Sequence, residues 1–278
     1  QARSNLVAQG PGPLAPAISR WENLTARDNL PFQDYASFVT SYPDFPRSET
    51  LRRRAEAALE RSNPGSSQVL AFFAKAPPLT NAGRAAHAQA LAMAGRPEAF
   101  AVAREAWRGG AMPLGAEADL ASRFALRFTP EDNLARMDAL LWQMQAESAA
   151  RQVVRLSGPK RDLAMARLAL VQGQSPEAAG LTVPSDALRD PGYVYNFSRY
   201  HRAKNNLPAA ISLLANRPRV QSLPLDQEAM IAEMLRVARG AGADSAARIA
   251  GQTDDLFASG ADLTAKSFRL RDDYTSLM

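Results

Sequence analysis

Apolar residues recur at helical spacing along most of this chain, and proline and glycine cut the recurrence into short segments. The clearest case runs from Leu24 to Leu59. Tyr35, Phe38, Val39 and Tyr42 stand at i, i+3, i+4 and i+7, one face of a 3.6-residue period. Pro31 suits the first turn of that helix, because its φ is already helical and its missing N–H would have no partner there. Pro43 and Pro46 end it, since neither can donate to the carbonyl four residues back. A second helix follows, with Leu51, Ala55, Ala58 and Leu59 as its inner stripe and Asp44 or Ser48 as its cap. The two make an αα-hairpin. Arg52, Arg53 and Arg54 read as its solvated face, with Glu56 four places after Arg52 and Glu49 four before Arg53.

The same unit returns down the chain. Residues 1–20 have no periodicity and read as an extended arm; helices are expected from Trp21 onward. The cluster Ser62–Ser67 is a turn before a short helix through Val69, Leu70 and Phe73, which Pro77 and Pro78 break. Ala82–Ala94 is an alanine-rich helix closed by Gly95, and Pro97 opens the next, lined by Phe100, Ala103 and Trp107 up to Gly109 and Gly110. Ala121, Phe124, Ala125 and Phe128 form another inner face. Thr129-Pro130-Glu131-Asp132 is a capping box with proline in first position, ahead of Leu134, Met137, Leu141 and Met144.

Val153, Val154 and Leu156 run to a stop at Ser157-Gly158-Pro159. Leu163, Ala166, Leu170 and Val171 precede Gly173, and Ser175-Pro176-Glu177 looks like a second cap-plus-proline start. Tyr193, Phe197, Tyr200 and His201 share a face before Asn205-Asn206. Pro208 opens a helix with Leu207, Ile211 and Leu214 inward; Ile231, Met234, Leu235 and Ala238 follow, and Asp244 caps a helix through Ile249. Residues 263–278 read as helical. The starts at Pro97, Pro130, Pro176, Pro208 and Asp244 lie 33, 46, 32 and 36 residues apart. Most of these intervals sit near the ~34-residue period of two-helix repeats, although the strict TPR pattern is missing. The expected fold is all-α: a superhelical α-solenoid of stacked helix hairpins, degenerate TPR-like, over residues 21–278.

Composition removes chemistry more than it adds any. Hydrophobic residues make up 46% of the 278, enough for a core, and no apolar run approaches the ~20 residues of a membrane span. The absence of cysteine excludes disulfides, thiolate zinc sites and a cysteine nucleophile. The net charge of +5 is spread along the chain and interleaved with acids, without an aromatic–basic platform, so no nucleic-acid partner is expected.

His87 and His201, the two histidines, have no second ligand at metal spacing and read as structural. There is no P-loop, no GxGxxG after a strand and no GxSxG elbow. Trp21, Trp107, Trp142 and the tyrosines of Tyr193–Tyr200 could stack on sugar rings but at helical spacing are assigned to the core, and Arg199, Arg202 and Lys204 to a helix C-terminus whose dipole favours cations. No catalytic, cofactor-binding or metal residue is assigned, and no cofactor.

The stretch LPFQDYASFVTSYPDFPRSETLRRRAEAAL, with WENL (Trp21–Leu24), YASF (Tyr35–Phe38) and YPDFP (Tyr42–Pro46), resembles the N-terminal helical region of soluble lytic transglycosylases of the α-proteobacterial type. The likeness is close up to Leu59 and looser beyond, where it includes GYVYNFSRYHRAKNN (Gly192–Asn206). The resemblance implies a periplasmic protein, its signal peptide removed, whose partners are peptidoglycan glycan strands, cell-wall proteins and a catalytic domain of the same polypeptide. That domain is lysozyme-like in the family. One glutamate there, in a Glu-Ser pair, protonates the glycosidic oxygen and then activates the sugar's own 6-hydroxyl to give a 1,6-anhydro product.

The pair Glu147-Ser148 stands here, but Ala149-Ala150 follow in place of an aromatic and no Gly-Leu-Met-Gln segment comes after. Glu147 is therefore not assigned as catalytic. The expectation is a non-catalytic helical domain, itself inactive, that ends ahead of the catalytic domain and either positions glycan strands or braces that domain. The alternative is a stand-alone TPR-like scaffold for a protein or peptide.

Overall fold

The computed structural model describes residues 14–158 and 160–278. Among them there are fifteen α-helices and no strand, so the chain is all-α. They fall into two compact units that divide between Phe128 and Thr129.

The first unit holds α1 (Leu14–Ala26), α2 (Phe32–Ser41), α3 (Ser48–Ser62), α4 (Ser66–Lys75), α5 (Asn81–Met93), α6 (Ala99–Arg108) and α7 (Leu114–Phe124). Most helices pack on the next, and α5 also lies beside α3 and α7, as α2 does beside α4. Burial follows the 3.6-residue stripes: Tyr35, Phe38, Val39, Leu51, Ala55 and Ala58 are all inside. The second unit holds α8 (Pro130–Trp142), α9 (Ala146–Gln152), α10 (Lys160–Val171), α11 (Pro191–Ala203), α12 (Leu207–Asn216), α13 (Gln227–Ala238), α14 (Ala243–Gly251) and α15 (Phe268–Leu277). Its main core runs from Trp142 through Val194, Leu214, Met230 and Met234 to Leu277. Here too the packing partners are mostly helices one or two places apart in the chain.

Several boundaries differ from the sequence expectation. Residues 1–13 and Pro159 lie outside the described residues, but Leu14–Ala26 is helix, so the second part of the expected arm is not extended. Pro31 sits one place before α2, in extended geometry, instead of inside it. Neither Asp44 nor Ser48 caps α3; its cap position is Arg47, held at φ 61. The last inner face of the first unit is Ala116, Leu120 and Phe124, spaced four apart, which leaves Ala125 about 100° round the helix and exposed.

The start expected at Pro176 yields a single turn. Ala179 N–H donates to the Ser175 carbonyl at 3.1 Å, then Leu181 N–H to Pro176 at 2.9 Å, with Gly180 left-handed at φ 70. That closure is the one that ends helices, and no apolar stripe follows to prolong it. At the end of the chain Gly242 takes the cap position of α14, with Asp244 inside the first turn.

The capping box at Thr129 is present as the spacing predicts. Asp132 N–H donates to Thr129 Oγ1 at 3.2 Å, and Thr129 N–H to Asp132 Oδ2 at 3.0 Å.

Candidate functional site

The three motifs that carry the resemblance meet in one place. Trp21 of WENL donates its indole N–H to the Pro46 carbonyl of YPDFP at 2.7 Å, and its ring lies 6.1 Å from Phe45. Phe45 packs edge-on against Phe38 of YASF at 5.4 Å and against Tyr42 at 5.7 Å. Arg54 then ties α3 to the end of α1, donating to the carbonyls of Leu24, Thr25 and Arg27. These residues are therefore a structural knot. Arg52 likewise donates to the Pro77 carbonyl, so of the three arginines only Arg53, paired with Glu49 at 2.8 Å, is the solvated i,i+4 partner expected.

Glu56 does not pair with Arg52. It is buried, and its carboxylate accepts from the N–H of Leu79 and of Thr80, each at 2.7 Å, and from the Thr80 hydroxyl. Thr80 in turn caps α5 by accepting from Gly83 N–H at 2.9 Å. Above this cap the side-by-side helices α3, α5 and α7, with the start of α4, enclose a groove of about 710 Å³. It is lined by Ala86, Ala90 and Ala116 together with Leu59 and Val69, and by Glu60, Gln89 and Met93. With Glu56 already spent on backbone N–H groups, the groove presents surfaces for binding and no paired acid and base.

The candidate chemistry is dispersed. Glu147 is exposed in the first turn of α9, open to water instead of enclosed by the apolar wall that raises the pKa of a glycosidase acid. Ser148 Oγ accepts from Arg151 Nη2 at 3.0 Å. The His87 ring lies tilted against Phe73 at 5.0 Å and the His201 ring tilted against Phe197 at 4.3 Å. Burial lowers the pKa of both, with Glu98 opposing the shift at His87. Among the described residues no group of three His, Asp or Glu side chains gathers at metal-holding distance, and no helix is long and apolar enough to cross a membrane.

Trp107 stacks on Phe128 at 4.6 Å and Trp142 on Tyr195 at 4.7 Å, both tryptophans inside. Burial raises the Tyr193 hydroxyl to about 12, with Glu177 adding to the shift. At the end of α11 the basic residues do more than complement a dipole. Arg202 forks onto the buried Glu233 through Nε and Nη2, both at 2.7 Å, and Ser198 donates to the same carboxylate at 2.8 Å. Sequence reasoning passed over Glu233 because it looked like one more polar position on α13.

No protein-family model, curated protein or solved structure matches this chain.

Proposed function

We propose that this chain is the non-catalytic helical part of a periplasmic peptidoglycan lytic transglycosylase, positioning glycan strands or bracing a lysozyme-like catalytic domain of the same polypeptide. The observation that supports this reading is the knot of Trp21, Phe38, Tyr42 and Phe45. In this chain the three motifs behind the resemblance form one packed unit, so they belong to a single structural element. Helices that lean on neighbours one and two places along, in the manner of stacked repeats, fit the same reading. So does the exposure of Glu147.

The test is to incubate the purified chain with isolated sacculi. The expected result is co-sedimentation with the sacculi and no release of 1,6-anhydro-muropeptides, unchanged by Glu147→Gln. Failure to co-sediment overturns the strand-positioning role, and a release that Glu147→Gln abolishes overturns the whole reading.

The groove over α3, α5 and α7 favours a second reading, a TPR-like scaffold that holds a peptide. Under it, Ala86→Trp fills the groove and abolishes capture of a peptide ligand while leaving co-sedimentation with sacculi unaffected.

A further inference from the structure

A second hollow in the first unit, of about 390 Å³, lies among the ends of α5 and α7 and the start of α6. Arg96, Arg123 and Arg127 line it around Phe100 and Phe124. Two of the guanidinium groups have carboxylates beside them: Arg96 with Glu98 at 3.2 Å and Arg123 with Asp119 at 2.7 Å. Both pairs are open to water, so they are weak and exchangeable. Among the described residues Arg127 has no carboxylate at ion-pair distance. Its guanidinium carbon lies 3.8 Å from the centre of the Phe100 ring and 6.0 Å from that of Phe124.

A guanidinium held by its flat face keeps its N–H donors in the plane and open, a fork shaped for an oxyanion. Three cations sharing one hollow with two acids leave it one positive charge in excess, and an incoming anion relieves their repulsion. We propose that this hollow binds a carboxylate-bearing ligand, with Arg127 as the fixed fork and Arg96 and Arg123 turning from their surface partners to the ligand. The identity of the ligand rests on the function proposed above: in peptidoglycan it is the peptide stem, which carries free carboxylates. The site would then grip the strand by its stem, leaving the sugar backbone to other surfaces.

Calorimetric titration of the full chain tests this, with a disaccharide–tetrapeptide muropeptide, N,N′-diacetylchitobiose (a disaccharide without a carboxylate), and inorganic phosphate as probes. The muropeptide is expected to bind the native chain, and Arg127→Ala to weaken it by roughly tenfold. Arg127→Lys restores only part of the loss, because an ammonium keeps the charge and lacks the fork. The diacetylchitobiose, which has no carboxylate, is expected to be indifferent to both substitutions. Arg127 is exposed, so both variants fold, which a thermal melt checks.

Equal affinity of the native chain and Arg127→Ala for the muropeptide overturns the site. Binding of phosphate without binding of the muropeptide overturns the carboxylate assignment. Co-sedimentation with sacculi separates this inference from the function it rests on. Sacculus binding together with Arg127-independent muropeptide binding removes the site and keeps the function, whereas no sacculus binding by any variant removes the site together with the strand-positioning role.

Discussion

The carboxylate of Glu56 accepts hydrogen bonds from both the backbone N–H and the hydroxyl of Thr80, 24 positions along the chain. A side chain of α3 thereby holds the residue that caps α5, and the space for it exists because position 83 has no side chain. A Cβ at Gly83 would collide with that carboxylate.

Glu56→Ala strands two backbone N–H groups and a hydroxyl in a buried place, and is expected to cost about 2–4 kcal/mol. Gly83→Ala is expected to destabilise as well, although helix propensity alone favours alanine by about 1 kcal/mol. In the Glu56→Ala background the same Gly83→Ala change is expected to be neutral or stabilising. Urea unfolding of the four proteins in this cycle measures the coupling, and additivity would show that the two positions are independent.

Glu233 and Arg202 give a second case. Removing one partner of a buried, forked pair leaves an uncompensated charge, so Glu233→Ala is expected to cost about 3–5 kcal/mol. Replacing both partners with methionine is expected to cost distinctly less, since no unpaired charge remains. A double mutant less stable than Glu233→Ala would contradict this.

Acid is expected to loosen the second unit through Asp255. Burial by itself would raise this carboxyl, but the bonds from Arg217, at 2.7 and 2.8 Å, and from Val220 N–H, at 2.7 Å, outweigh it and hold the pKa below the ordinary 3.8. A carboxyl depressed on folding stabilises above its unfolded pKa, and the gain is lost as pH falls through the folded one. Stability is therefore expected to decline as pH drops below about 4, and Asp255→Asn to flatten that decline while lowering stability at neutral pH. Chemical denaturation at a series of pH values reads both effects.

The helices were legible because their stripes are local. Leu51, Ala55 and Ala58 need only a 3.6-residue period to declare an inner face, and Gly95 and Gly173, left-handed at φ 64 and 81, close helices where the pattern stops. The capping box at Thr129 is equally local, with every partner within three residues. Pro176 misled because a cap and a proline license a helix without sustaining one; sustaining it takes an apolar face with something to pack against. Arg52 and Arg54 misled for another reason. Arg52 has Glu56 four places on, but in the folded chain it donates to the Pro77 carbonyl, and Arg54, with no acid four places away, donates to carbonyls at the end of α1.

Sequence by itself determined that this protein is all-α, where most of its helices begin and end, and most of the side chains that go inside, because each of those choices is made among residues a few places apart. Only the tertiary structure decided what the polar residues do. It turned Glu56 into a support for the start of α5, sent Arg202 to Glu233, and brought Arg96 and Arg127, 31 positions apart in the chain, into one hollow. The physical reason is that an apolar face requires only burial, whereas a buried or crowded charge requires a particular partner, and that partner lies beyond the reach of any local spacing.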